Sequence, residues 1–320
     1  MSAPHEVISA GILVADHVSM PMEHLPAEGE LVAVPGMSLT TGGCAANVAI
    51  DLACQGVRVG ISGKVGSDVW GRFIREDLAE HGVATEHLAA SETEQTSQSL
   101  VLLVKGQDRR FVHSFGANGD FRVSDIPREQ VCRSKVFYLG GYLLMPAFDP
   151  DELGALFRHC REQGVRNVLD VVVPSGYTAG GELEPVLPHT DVFMPNNDEA
   201  AILTGETEPV RQAEACRALG ARTVIVTQGG DGLVVAHEDE IWKAYPFPSV
   251  PIDATGAGDA FCAGFITGMV RGLDLRGCLE YGSALGASCV RSLGACAGVF
   301  NAEETAQFLR EHALELQRVR

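Results

Sequence analysis

The sequence has 320 residues, 46% hydrophobic and 21% charged, which is enough apolar material for one large α/β core and rules out a disordered scaffold. A formal net charge of -18 argues against partners such as nucleic acid or an anionic membrane, which reward clustered Lys and Arg. It leaves a nucleotide open, because backbone N–H groups, a metal and a few local cations can neutralise phosphates.

The first apolar run, Val7–Val14, reads as a buried strand, and the start lacks the basic segment of a secretory signal. No stretch approaches the roughly 18 uncharged apolar residues of a membrane helix. Helices are predicted over Ala45–Gln55, Gly71–His81, Pro150–Gln163, Asn197–Leu203, Pro209–Leu219, Asp259–Arg271 and Leu275–Leu293, each with apolar residues at three- and four-residue spacing. Between them, Val136–Leu139, Asn167–Val173, Val192–Met194 and Thr223–Val226 are short, nearly uninterrupted β-branched runs, as strands covered on both faces should be. This alternation predicts one domain over residues 1–320, an α/β doubly wound and mainly parallel sheet with helices on both faces. Glu30–Leu39 and Gln98–Phe115 break the rhythm, the latter with a turn at Lys105–Arg109 that suits a hairpin. Segments of about 16–40 and 95–118 are therefore expected to form a small β-sheet lid, with a plain edge hairpin as the alternative. The nine cysteines are odd in number and never paired as C-x-x-C, which favours reduced thiols in the cytoplasm over a disulfide framework or zinc site.

The most informative stretch is Val250–Phe265, VPIDATGAGDAFCAGF, where a small-residue turn opens an amphipathic helix. Gly256, Ala257 and Gly258 leave N–H donors exposed at a helix N-terminus, where they and the macrodipole attract phosphate. Asp259 beside them is placed to take the proton of an attacking hydroxyl, although an Asp there also simply complements the dipole. Upstream, Gly42 and Gly43 open the helix carrying Asn47, whose amide both donates and accepts.

Two stretches, Asp253-Ala254-Thr255-Gly256-Ala257-Gly258-Asp259 and Gly42-Gly43-Cys44-Ala45-Ala46-Asn47, resemble the second and first signatures of the ribokinase-like PfkB carbohydrate kinases. The resemblance implies an ATP-dependent phosphotransferase acting on a hydroxyl of a small sugar or sugar derivative, with Asp259 as general base and the Gly256–Gly258 turn as anion hole. It implies that Asp16, Gly42, Gly43 and Asn47 hold the acceptor, with Asn118 of the lid close to it. Thr227, Gly229 and Gly232, in Thr227-Gln228-Gly229-Gly230-Asp231-Gly232, resemble the family's nucleotide loop. Asn196 and Glu199 match an N-x-x-E motif that organises Mg2+, partly through water, and they also read as a helix cap. Asp253, Thr255 and Gly294 match a site that holds K+ in many relatives, although the usual neighbouring Arg is displaced by one position. A homodimer built through the lid is also implied. Of the D-x-N-x-R pattern after the fourth strand only Asp170 remains, which puts a standard sugar pocket in doubt; Lys105, Arg109, Arg110 and His113 leave a phosphorylated or acidic acceptor open. Nucleoside kinase is the alternative within the fold, and a non-catalytic sugar- or nucleotide-binding regulator the alternative outside it. A P-loop kinase fails because Arg58 stands where Gly63-Lys64 would need a glycine, and a dinucleotide enzyme fails because G-x-G-x-x-G is missing.

Overall fold

The computed structural model describes residues 4–107, 109–178 and 180–320. Strand β1 (Val7–Gly11) passes through Ile12 and Leu13 into β2 (Val14–Ser19), and β3 (Met37–Gly42) returns beside it before helix α1 (Cys44–Cys54). Next come β4 (Val59–Gly66), α2 (Val69–Glu80), β5 (Ala84–Ser91) and the hairpin of β6 (Gln98–Leu102) and β7 (Arg110–Ser114). Asp108, within the turn expected over residues 105–109, lies outside the described residues. The short α3 (Arg128–Val131) precedes β8 (Val136–Gly140), α4 (Pro150–Glu162), β9 (Arg166–Leu169), β10 (Val192–Phe193), α5 (Asn197–Thr204), α6 (Pro209–Ala218) and β11 (Thr223–Thr227). The chain ends with β12 (Leu233–His237), β13 (Glu240–Ala244), α7 (Ala257–Val270), α8 (Leu275–Cys289), α9 (Ala302–Glu311) and β14 (Leu316–Arg318).

Among the described residues, ten strands form one sheet in the order β14-β13-β12-β11-β10-β9-β8-β1-β4-β5. The strands from β11 to β5 run parallel, and β12, β13 and β14 add on antiparallel. Period-two alternation divides the core. Val7, Tyr138, Val168 and Ile225 enter a layer with Val48 of α1, Phe265 of α7 and Leu285 of α8. Their neighbours Ile8, Phe137, Leu169 and Val224 enter the opposite layer with Phe157 of α4 and Cys216 of α6. The helices start where side chains cap them: Asp149 accepts from Asp151 and Glu152 ahead of Pro150, and Asn196 and Asn301 open capping boxes. A second sheet of four strands, β3-β2-β6-β7, stands apart over the carboxyl edge of β1.

The structure departs from the sequence reading in places. The expected strand Glu30–Leu39 begins only at Met37, because Pro35 offers no N–H for a ladder. The run Asn167–Val173 is strand only to Leu169, so Asp170 emerges past the carboxyl end of β9. Strand β4 was hidden by Gly60, Gly63 and Lys64, which interrupt its apolar pattern.

Candidate active site

Helix α7 is buried over Ala260–Met269, so its N-terminus is held by the core. Gly256 caps it at φ 77°, and a Cβ there would lie 2.4 Å from the Ala295 carbonyl oxygen, so both the backbone and the neighbour demand glycine. Nothing lies within 4 Å of where a Gly258 Cβ would be, so this side of the turn is open. Ala257 and Gly258 share a cavity of about 640 Å3 with Thr227, Gly229 and Gly232. Thr227 ends β11 and donates its N–H to the Pro195 oxygen, 3.1 Å away, which brings the Thr227–Gly232 loop alongside Asn196. The wall also includes Pro246, Phe247, Ser283, Ala287 and Val290, which sequence reasoning missed. Only Ser283 and Ala287 left a trace in the sequence, as part of the run of small residues along α8.

Asp259 lies in the first turn of α7. Asn47 Nδ2 donates to its Oδ2 at 2.8 Å, joining α1 to α7 across residues 212 positions apart. Burial raises the Asp259 carboxyl above its usual range, and the bonds from Asn47 and Cys44 oppose that rise. Asp170 and Cys44 converge on it, one ligating atom of each lying within 4.8 Å of the others. Asp170 is pushed well up by burial, and the Glu199 and Asp259 charges add to the shift. Asn196 and Glu199 form a reciprocal cap, each side chain accepting the other's N–H at 2.9 Å. Burial still carries Glu199 up to about 7. Three carboxyls that repel one another in a desolvated site, all with oxygen donors, fit a hard divalent cation such as Mg2+.

Across the cleft, the small sheet lines up Thr40, Asp16, Ser99 and His113 in register on neighbouring strands, and hence on one face. Ser99 Oγ and His113 Nδ1 are 2.9 Å apart. Burial raises Asp16 to about 6, although a hydrogen bond from Ser99 opposes it. Gly42 makes this possible: a Cβ there would sit 2.0 Å from Asp16 Oδ2. Gly43, at φ 93°, then turns the chain into α1. Partial desolvation of the otherwise exposed His113 ring lowers its pKa, which favours the neutral ring and suits a hydroxyl better than the anion considered from sequence. Thr40 and Ser99 were not singled out in the sequence; cross-strand register alone reveals them. Asn118 is a correction. Its amide accepts from Leu13 N–H at 3.1 Å and donates to the Leu13 oxygen at 3.0 Å, so it fixes the β1–β2 junction instead of reaching toward a ligand.

Asp253 gathers the turn before α7. Its Oδ1 accepts from Thr255 N–H at 2.9 Å and its Oδ2 from Gly294 N–H at 3.0 Å. Arg109 of the small sheet reaches over to the same carboxylate at 3.1 Å and to the Thr255 hydroxyl. The other lid cations turn away: Lys105 pairs with Glu23, and Arg110 donates to Gln107 at 2.6 Å. Lys64, already excluded from a P-loop by spacing, lies within β4 and pairs with Asp120 at 2.9 Å and Asp125 at 3.3 Å.

A family profile described as "pfkB family carbohydrate kinase" matches residues 4–301. Ribokinase of Haemophilus influenzae is 29% identical over 314 residues, covering 95% of this chain and 97% of that protein. ATP-dependent ribose-1-phosphate kinase of Halopiger xanaduensis is 31% identical over 307 residues, covering 95% and 98%. The solved structure of Arabidopsis thaliana ribokinase complexed with ribose and ATP superposes with a TM-score of 0.83 at 25% identity, over 96% of this chain and 99% of that one.

Proposed function

The chain belongs to the pfkB family of carbohydrate kinases, and we propose that it transfers the γ-phosphoryl group of ATP to a hydroxyl of a small sugar, with Asp259 as general base. The observation that carries this reading is Asp259 in the first turn of α7, one carboxylate oxygen tied to Asn47 and the anion-binding turn beside it. The Asn47 bond leaves Oδ1 to receive the acceptor's proton, and burial makes that carboxylate a stronger base than a solvated one. The acceptor lies between Asp259 and the Asp16–Ser99–His113 row, where an ionised Asp16 accepts from a sugar hydroxyl. The N–H groups of the Gly256–Gly258 turn meet the charge spread over the transferring group, and ADP leaves toward the cavity lined by Thr227 and Gly229. Asp170, Glu199 and, through water, Asn196 are the residues that would hold Mg2+, which supplies charge neutralisation on the phosphates.

Three finer assignments complete the reading. At Asp253, the Arg109 guanidinium and K+ are alternatives, the first with the lid closed and the second with it open. The small sheet is the surface for a homodimer, supported by exposed Met37, Leu100, Phe111 and Val112. The nine free thiols suit a reducing compartment, the cytoplasm.

The test is ADP release from MgATP against aldoses, ketoses, sugar phosphates, sugar acids and nucleosides, with Asp259→Asn alongside. Turnover with one acceptor class and its loss by roughly 10^3-fold or more in Asp259→Asn, ATP affinity being kept, is the expected result. Near-normal turnover by the variant would refute the base.

A further inference from the structure

The far edge of the large sheet carries a second convergence of ligating side chains, unconnected with phosphoryl transfer. His5 lies just before β1, Glu86 and His87 lie on β5, and β4 runs between those strands. His5 Nε2 is 3.3 Å from Glu86 Oε1, and His87 Nε2 is 3.9 Å from the same oxygen. One ligand atom from each of the three lies within 4.8 Å of the others.

A regular strand cannot turn residues 86 and 87 to one face, because successive side chains alternate. Here β5 is irregular. Gly60 pairs with Ala84 whereas Ser62 pairs with His87, so three steps along β5 oppose two along β4. Such a bulge re-aims side chains, and it brings Glu86 and His87 together. The backbone around it is held: Arg75 of α2 donates to the Thr85 oxygen at 2.9 Å and the Leu88 oxygen at 2.8 Å. Gly60 makes room for the third group, since a Cβ there would lie 3.0 Å from His5 Nδ1. Both imidazoles are mostly enclosed, at 19% and 18% exposure, and Glu86 at 54% faces water. Two enclosed imidazoles thus form a wall, and an exposed carboxylate lies at the mouth.

We propose that His5, Glu86 and His87 form a binding site for a zinc-class divalent cation, held by the two Nε2 atoms and a carboxylate oxygen, which ties the segment before β1 to the edge strand β5. Two imidazoles with one carboxylate suit a borderline metal better than the hard Mg2+ that the active site fits. Zinc ligands at about 2.0–2.1 Å in a tetrahedron lie roughly 3.3 Å apart. The His5–Glu86 separation already has that value, and His87 needs only a small closing movement. Binding involves no redox change, and the exposed Glu86 side leaves the remaining positions to water.

The experiment is calorimetric titration of ZnCl2 into wild type, His5→Ala, His87→Ala and Cys44→Ala, with melting temperature followed in parallel. Cys44→Ala is included because the Cys44–Asp170–Asp259 cluster offers zinc another place to bind. Wild type and Cys44→Ala should share one equivalent that both histidine variants lose or bind more than about tenfold more weakly. The rise in melting temperature on saturation should vanish with it, and kinase turnover in excess Mg2+ should be the same for wild type and both histidine variants. His5→Gln, closer in shape, serves if His5→Ala does not fold. Equal stoichiometry and affinity in wild type and the histidine variants, whether no equivalent binds or all follow Cys44, would overturn the assignment.

Discussion

The turn before α7 and the small sheet opposite it face the same cleft, yet they are built in opposite ways. The α7 helix is buried for most of its length and holds Gly256–Asp259 by core packing, whereas every residue of β7 is exposed. The inner strands of the small sheet are anchored, with Ala15 in the core, Leu39 packed on it and His17 edge-on to Trp70 of α2, and Arg109 adds a contact to Asp253. The proposed base has to be fixed to within fractions of an ångström, and it sits on a helix packed into the core. A proposed lid has to move, and its outer strand β7 is the exposed part.

Changes to the rigid side should therefore cost most. In Gly256→Ala, a side chain enters a left-handed turn and meets the Ala295 oxygen, so the N–H groups of the anion hole shift. Turnover should fall on the order of 10^2-fold or more, as when one oxyanion donor is lost, and steady-state kinetics with saturating ATP would measure it.

An intermediate effect is expected at Asp16, where the two sides meet. Its folded pKa of about 6 lies above the ordinary 3.8, so the native state holds the proton more tightly than the unfolded chain. Stability of the ligand-free protein should then be fully supported by this group below about pH 4 and decline as pH rises to about 6, by on the order of 2–3 kcal/mol. Asp16→Asn should flatten that part of the profile in denaturant titrations. Activity runs the other way: kcat/KM should fall as pH drops through about 7, where Glu199 gains its proton. A stability curve unchanged by Asp16→Asn would show that the carboxyl is better solvated than its surroundings suggest.

The smallest effect should come from the lid. Arg109 and Asp253 are partly exposed, at 28% and 20%, so their pairing is worth roughly 1 kcal/mol. Arg109→Ala should raise KM for the acceptor about fivefold with KM for ATP little changed. A loss as large as that of Gly256→Ala would mean that Arg109 meets the reacting groups directly, and the contrast between the two sides would fail.

Much of this was legible in the sequence, for identifiable reasons. The Gly256–Asp259 and Gly42–Asn47 stretches are local: each turn's geometry depends on its own glycines, and the helix that follows is written in its apolar spacing. The parallel strands near the sheet centre were readable because strands covered on both faces are apolar throughout. Strands β4 and β5 were not, since one is broken by glycines and the other alternates with polar residues at an edge. Asn118 was misjudged because its partner is a backbone group 105 positions away.

The sequence by itself determined the alternating architecture, the glycine turn that opens α7 and the position of Asp259, the proposed base, since each is encoded within a few consecutive residues. The tertiary structure alone decided which distant groups meet: Asn47 on Asp259, Arg109 on Asp253, the Thr40–Asp16–Ser99–His113 row, and His5 beside the bulge of β5. These pairings depend on strand register and helix packing, which arise from the whole core and leave no mark at any one position.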